Sequence, residues 1–241
     1  MITLPIIVLL TIVCMVTYSF EIIFGLAGTI MMLMVMTFFL SAKTLVIYSV
    51  MPQLMVATIG LARSPKTVEL RFLGGMVLFA VMGSVLGLML FYYFSATVFQ
   101  MLLATAISVF GLYLVLSPGA IKFSQGVNRT LDTLAGMSQA LFGISGPIAM
   151  TRLIGSFQDK TVIRNYALAF FMSLNLFRAG GYIVNQTISQ EVWLMMAISA
   201  PFLAVTLWFS NRFHFHINEN IFRKVVSWII LIGGISLFFS G

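Results

Sequence analysis

Two short glycine-containing stretches, one in each half of the chain, have the residue types and spacing that could do chemistry. They read Phe24-Gly25-Leu26-Ala27-Gly28-Thr29 and Phe142-Gly143-Ile144-Ser145-Gly146-Pro147. Each lies inside a long apolar run, where a helix that stops and restarts presents backbone N–H groups and a positive dipole end to a ligand. Irregular backbone at membrane depth requires a cavity or shelter by protein. We therefore predict that both breaks bind one small anion, against the alternative that the glycines only permit close helix crossings.

Polar side chains beside the breaks extend this predicted site. Gln139 precedes its Phe-Gly pair by three residues, as Glu21 does in the first half, and Gln53 and Asn175 lie in the apolar runs that follow the breaks. Each uncharged donor alone is more often a helix–helix hydrogen bond. The predicted substrate-binding residues are Gly25, Leu26, Ala27, Gly28, Thr29, Gln53, Gln139, Gly143, Ile144, Ser145, Gly146, Asn175 and Arg178. Further candidate donors are Tyr18, Ser49, Thr58, Ser138, Asn165 and Ser173.

Glu21 is the one acidic residue inside an apolar run and away from loops. An intramembrane carboxylate is a functional hypothesis by default. Two interpretations stay open: a coupling group that carries a proton or breaks a salt bridge during transport, and a structural pair with Arg178. Arg178 also lies within an apolar run. Its planar guanidinium can bind an oxyanion through two parallel hydrogen bonds. The alternative is that the Arg178 side chain extends to the membrane interface.

The composition places the chain in a lipid bilayer. Of its 241 residues, 61% are hydrophobic and 8% are charged, against roughly 25% charged in soluble domains. The net charge of +7 therefore indicates basic cytoplasmic loops rather than a nucleic-acid partner. His214 and His216 lie in a basic loop without further ligands nearby, so we expect no metal and no cofactor.

The apolar runs define the elements that position the breaks. Residues 3–41 would extend about 57 Å as one helix, well beyond a hydrocarbon core of about 30 Å. Two legs that meet at the glycines fit better, with about 19 residues per leg in the first unit and about 13 in the second unit, residues 131–156. The predicted full spans are residues 45–62, 72–92, 97–116, 164–184, 192–210 and 225–240.

The order of elements repeats. Phe24-Gly25 and Phe142-Gly143 are 118 residues apart, and Lys43-Thr44 and Lys160-Thr161 are 117 apart. Near-constant offsets indicate a duplication. We predict an N-terminal repeat over residues 1–119, a cytoplasmic linker over 120–130 and a C-terminal repeat over 131–241, all within one membrane domain.

The distribution of positive charge favours a topology in which both broken units return to the side from which they start. Only Lys43 then lies on the second face, and Arg178 lies within a span. Eleven of the 13 basic residues fall on one face, which the positive-inside rule makes cytoplasmic: Arg63, Lys66, Arg71, Lys122, Arg129, Arg152, Lys160, Arg164, Arg212, Arg223 and Lys224. Three full crossings per half then give an all-α multi-pass protein with two inverted-topology repeats and both termini extracytoplasmic.

The chain contains two glycine-rich breaks, each followed by an apolar leg, a Lys-Thr turn and a helix with scattered polar residues. This order resembles the TauE/SafE family of sulfite exporter-like membrane permeases. The resemblance covers about residues 5–238. The family's pattern is roughly Gly-x-Gly-Gly-Gly, then apolar residues and a Pro. Here the glycines are fewer, because Ala27, Thr29, Ser145 and Pro147 occupy the corresponding stretches, and the following Pro is absent. The resemblance implies export or uptake of small sulfur-containing anions such as sulfite and sulfonates across a bacterial-type plasma membrane.

These observations predict a secondary transporter of small anions that works by alternating access and is coupled to H⁺ or Na⁺. The other functions considered are a passive anion channel, a structural membrane subunit and an intramembrane enzyme. The chain contains no Gly-x-x-x-x-Gly-Lys-Ser/Thr loop for nucleotide phosphates and no Gly-x-Ser-x-Gly nucleophile elbow. We therefore expect that the protein is not an enzyme and that its partners are the solute, a coupling ion and lipid.

Overall fold

The computed structural model describes residues 3–25, 27–62, 68–116, 122–212, 228 and 231–235, without the side chains of Phe24 and Leu114. This part of the chain is helical. Its helices of seven or more residues are α1 (Leu4–Phe24), α2 (Gly28–Met36), α3 (Ala42–Tyr48), α4 (Val50–Ala62), α5 (Leu70–Tyr93), α6 (Ala96–Leu116), α7 (Gln125–Phe142), α8 (Gly146–Ile154), α9 (Lys160–Val184) and α10 (Gln190–Ser210).

Six stretches among the described residues are long and apolar enough to cross a membrane. They are α1 over Leu4–Ile23, α3 with α4 over Ala42–Ala62, α5, α6 over Ala96–Tyr113, α9 and α10. The predicted spans 45–62, 72–92, 97–116, 164–184 and 192–210 are thereby confirmed as long apolar helices. The sixth predicted span, residues 225–240, lies largely outside the described residues, as do His214 and His216.

Local sequence explains where several helices begin. The side chains of Ser41, Ser124, Asp159 and Ser189 accept hydrogen bonds from backbone N–H groups of the first turns of α3, α7, α9 and α10, which are otherwise unpaired. Because Ser124 caps α7, this helix begins within the predicted linker 120–130, whose second half is therefore helical.

Both predicted two-legged units form helix–break–helix elements, but the prediction of equal legs is wrong. The first unit has legs of 21 and 9 residues, and the second has legs of 18 and 9 residues. The legs are unequal because α2 ends at Met36, before the end of its apolar run, and α7 begins at Gln125, before the start of its run. The first leg of each unit is long enough to span the hydrocarbon core or nearly so. The short second leg extends only about 13 Å.

Packing between the halves follows one pattern. α5 lies along α7, α10 lies along α1, and α4 lies along α9. The α5–α7 contact is close because a Cβ at Gly83 would overlap the Thr133 carbonyl and a Cβ at Gly136 would overlap the Ala80 carbonyl. Small residues at such crossings let helix backbones approach in a membrane. The outer faces of α5 and α10 expose large apolar side chains such as Leu78 and Val205, as lipid contact requires.

Candidate functional site

The first break turns the chain back along α1. Gly25 ends α1 with φ 79°, and Ala27, a residue with a Cβ, has φ 80° immediately before α2. The Thr29 N–H then donates to Glu21 Oε2 at 3.1 Å, and the hydroxyls of Thr29 and Tyr18 are 3.1 Å apart. The first turn of α2 therefore lies beside the last two turns of α1. Leu26 lies outside the described residues.

The second break has similar backbone geometry but different chemistry. Gly143 ends α7 with φ 74°. Here Gln139 takes the place of Glu21, and its Oε1 accepts a 2.6 Å hydrogen bond from the Ser145 hydroxyl rather than from an amide of α8. No side chain caps the N-terminus of α8 in the described structure. The second break therefore has a helix N-terminus without a resident carboxylate.

A small cavity lies where the two breaks meet. Its walls contain Glu21, Ala27, Thr29 and Ile30 from the first unit, and Gln139 with residues Gly143–Pro147 from the second. Gln53 from α4 and Phe171 from α9 complete the lining. Of the predicted binding residues, the structure thus brings Ala27, Thr29, Gln53, Gln139, Gly143, Ile144, Ser145 and Gly146 to one cavity.

The carboxamide of Gln53 connects the two breaks. Its Nε2 donates to the Thr29 hydroxyl of the first break and, at 2.8 Å, to the Gly143 carbonyl of the second. Its Oε1 accepts from Gln139 Nε2 at 2.7 Å. A single buried side chain thus contacts both units, so movement of one break relative to the other must break one of these hydrogen bonds.

Arg178 lies behind this network and not at the membrane interface. Its side chain is fully buried, so the alternative that it extends to the interface is wrong. One guanidinium nitrogen, Nη1, donates to Asn175 Oδ1 at 2.8 Å and to Gln53 Oε1 at 3.4 Å. The other, Nη2, donates to the Val46 carbonyl at 2.8 Å. These bonds orient both carboxamides, because their oxygens must face the guanidinium and the Nε2 of Gln53 must then face the breaks.

Glu21 and Arg178 form no ion pair, so the alternative of a structural pair between them is wrong. Among the described residues the recorded ion pair is Arg152–Asp132, 3.6 Å apart, between α8 and α7. Arg178 Nε is buried without a partner, and the carboxylate of Glu21 is bound by the amides of Thr29 and Gly28. The two charges are connected through Thr29 and Gln53. Isolated buried charges are costly, and here each charge is bound by neutral hydrogen-bonding groups instead of by an opposite charge.

The structure adds Arg164, which the sequence analysis counted only as a cytoplasmic charge. It is buried, and its Nε and Nη2 both donate to the Ile22 carbonyl at the end of α1, at 2.9 and 2.7 Å. Nη2 also donates to Asn211 Oδ1 at 2.6 Å. The signal was its spacing: 14 residues, close to four helical turns, separate Arg164 from Arg178, so both lie on one face of α9.

Other predicted donors lie apart from the cavity. The Thr58 and Ser173 hydroxyls donate to carbonyls of their own helices, those of Leu54 and Ala169. Ser138 donates to the Ile144 carbonyl and so supports the second break. Among the described residues, no three His, Cys, Asp or Glu side chains lie together in a group that could hold a metal ion.

Comparison with known families covers nearly the whole chain. The family model described as Sulfite exporter TauE/SafE matches residues 10–237. The chain belongs to the TauE/SafE family. Comparisons with curated proteins and with solved structures gave no match. Membership of this transporter family, together with the six apolar helices, makes the chain an integral membrane protein of the sulfite exporter type.

Proposed function

We propose that this TauE/SafE member is a secondary transporter that moves a small sulfur-containing or organic anion, such as sulfite or a sulfonate, by alternating access. The principal supporting observation is Arg178, a fully buried cation without a carboxylate partner among the described residues. It hydrogen-bonds to Gln53, which lines the cavity, and to Asn175, which accepts from the cavity residue Gln139. A buried guanidinium without a counter-ion raises the affinity of the adjacent cavity for an anion.

The lining of the cavity favours a small oxyanion. The uncapped N-terminus of α8 faces this space through Ser145 and Gly146, and helix N-termini bind anions through their N–H groups and dipole. The carboxamides and hydroxyls of Gln53, Gln139 and Thr29 supply further hydrogen-bonding groups at fixed positions.

Alternating access is supported by how the halves pack. The long leg of each broken unit packs along a helix of the other half: α7 along α5, and α1 along α10. Helices α5 and α10 occupy corresponding places in the two halves of the sequence. Such reciprocal packing is expected of two inverted repeats around one central site. With both units re-entrant, the basic loops lie in the cytoplasm and both termini outside, in a bacterial-type plasma membrane.

Binding and exchange test this function. Purified protein is heated with sulfite, thiosulfate or methanesulfonate, and unfolding is followed by the intrinsic fluorescence of the three tryptophans, because sulfite and thiosulfate would consume a thiol-reactive dye. We expect at least one of these anions to raise the unfolding temperature and to show counterflow in proteoliposomes. Non-saturating flux without counterflow would favour a passive channel. Absence of both binding and flux for all three anions would refute the assignment of an anion transporter.

A further inference from the structure

We propose that the Glu21 carboxylate and the transported anion compete for the same backbone amides at the first break, so that the anion binds only when Glu21 is protonated. This inference rests on the proposed transport of an anion and names its coupling ion as a proton. Glu21 is then a resident anion that occupies one half of the binding site until a proton neutralises it.

The geometry of the first break supports competition. Glu21 Oε2 accepts from the Thr29 N–H at 3.1 Å, and the Gly28 N–H also hydrogen-bonds to this carboxylate. Gly28 permits this approach, since a Cβ there would lie 2.6 Å from Glu21 Oε2. Glu21 and Thr29 both line the cavity. An anion that entered to use these amides would meet a carboxylate, and like charges at such separations repel strongly in a low dielectric.

The surroundings of Glu21 leave protonation as the way to remove this charge. Helices α2 and α4 contain no ionisable side chain, and in α10 only Glu191 is charged, at its exposed start. On α1 itself, the other ionisable groups nearby are the hydroxyl of Tyr18 and the thiol of Cys14, with Tyr48 of α3 beyond them. Arg164 contacts the end of α1 through the Ile22 carbonyl, and Arg178 reaches the first break only through Gln53. No cation bonds to the carboxylate among these described groups.

Only the first break contains a carboxylate that a proton can neutralise. The corresponding residue of the second break, Gln139, is neutral at every pH, and its oxygen is held by the Ser145 hydroxyl. The second break is therefore always open to an anion, whereas the first opens when Glu21 takes up a proton. Full binding across both breaks then requires one anion and one proton from the same side. For a monovalent anion the coupled movement is electroneutral, so a pH gradient drives it and a membrane potential does not.

The experiment uses the full chain in proteoliposomes with methanesulfonate and isethionate, which stay ionised throughout the pH range so that any pH dependence belongs to the protein. Three proteins are compared: wild type, Glu21→Gln, and Glu191→Gln as a control that removes an exposed carboxylate at the start of α10. In Glu21→Gln the new carboxamide can still accept from the Thr29 N–H and mimics the protonated state. Potentials are imposed with potassium and valinomycin, and pH gradients are imposed separately.

For the wild type and Glu191→Gln, we expect an acid-outside gradient of one pH unit to accumulate the sulfonate inside about tenfold, as coupling of one proton to one anion requires, and potential to have little effect. Glu21→Gln is expected to keep counterflow at equal pH, to lose accumulation driven by the pH gradient, and to respond to an inside-positive potential. Unchanged accumulation along the pH gradient in Glu21→Gln would overturn the proposal.

A second measurement on the wild type alone protects against a variant that fails to fold. In weakly buffered medium, sulfonate entry should make the external solution more alkaline by one proton per anion. Entry without alkalinisation overturns proton coupling while leaving anion transport standing. Absence of binding and counterflow for every probe, in the wild type and both variants, overturns the transport function itself, and the coupling with it.

Discussion

Replacing Gly83 by Ala tests the close crossing of α5 and α7 on which the position of the second break depends. The added Cβ would overlap the Thr133 carbonyl and would lie 2.8 Å from the Thr133 carbonyl carbon and 3.0 Å from the Met137 backbone nitrogen. These are backbone atoms that no side-chain rotation can move, so the two helices must separate. Overpacking of this kind costs about 1–3 kcal/mol.

Gly75→Ala is the matched control, because Gly75 lies on the same helix and a Cβ there meets nothing within 4 Å. Both substitutions gain the same intrinsic helix preference of alanine over glycine, about 0.5–1 kcal/mol. The difference between the two variants therefore isolates the steric term. At about 2–4 °C per kcal/mol for a chain of this size, Gly83→Ala should unfold roughly 2–12 °C below Gly75→Ala.

The assay is thermal unfolding in detergent, followed through the buried thiol of Cys14. Anion binding to each variant is also measured, because α7 contains Gln139 and ends at Phe142, next to Gly143 of the second break. We expect Gly83→Ala to weaken binding and Gly75→Ala to leave it unchanged. Equal unfolding temperatures for the two variants would refute the close backbone contact and, with it, the structural basis for the position of the second break.

Three further predictions concern the breaks and the two buried arginines. Ala27→Gly should raise the unfolding temperature, since a left-handed backbone costs an alanine about 1–2 kcal/mol. The control Ala106→Gly, within α6, should lower the unfolding temperature. A lower unfolding temperature for both variants would contradict the strain at Ala27. Arg178→Lys should weaken anion binding by tenfold or more in titration calorimetry. One ammonium cannot bind both Asn175 and Val46, and hydrogen bonds to charged groups are worth about 1.5–3 kcal/mol. The control Arg129→Lys, at an exposed position, should bind the anion normally. Arg164→Gln should lower the unfolding temperature. Asn211→Ala should lower it less in that variant than in the wild type, since Arg164 and Asn211 share a hydrogen bond, while the bond from Asn211 to the Ile59 carbonyl is lost in both backgrounds. Additive losses would contradict the shared contact.

The sequence was sufficient to predict the breaks, because glycine marks a left-handed helix end and two such ends occur at matching places. It also identified Glu21, since a lone carboxylate in an apolar run has few structural explanations. The pairing of Glu21 with Arg178 was wrong for a physical reason: opposite charges suggest an ion pair, but here each charge is bound by local dipoles instead. Glu21 is bound by the amides at the start of α2, and Arg178 by carboxamide and carbonyl oxygens.

Contacts between distant parts of the chain were beyond sequence reasoning. The role of Gln53 depends on its reach to Thr29 and Gly143, which are 24 and 90 residues away, and no local pattern encodes that meeting. Arg164 was missed because an arginine near the end of an apolar run is ordinarily assigned to a loop. The leg lengths were misjudged because helix ends do not coincide with the ends of apolar runs: α2 ends at Met36, before residue 41, and α7 begins at Gln125, in the polar stretch before residue 131.

The placement of Arg164 and Arg178 on one helix has a mechanical consequence. No glycine or proline lies between them, so this part of α9 is a rigid rod about 21 Å long. One end is fastened to the last turn of α1, and the other lies 3.3 Å from the position of a Cβ on Gly143, at the end of α7. If α9 pivots about a point between its two arginines, the two guanidiniums move in opposite directions. Weaker contact of Arg164 with α1 is then accompanied by closer contact of Arg178 with the end of α7. In the proposed alternating access, such a coupled movement would keep the two ends of the pathway from opening together.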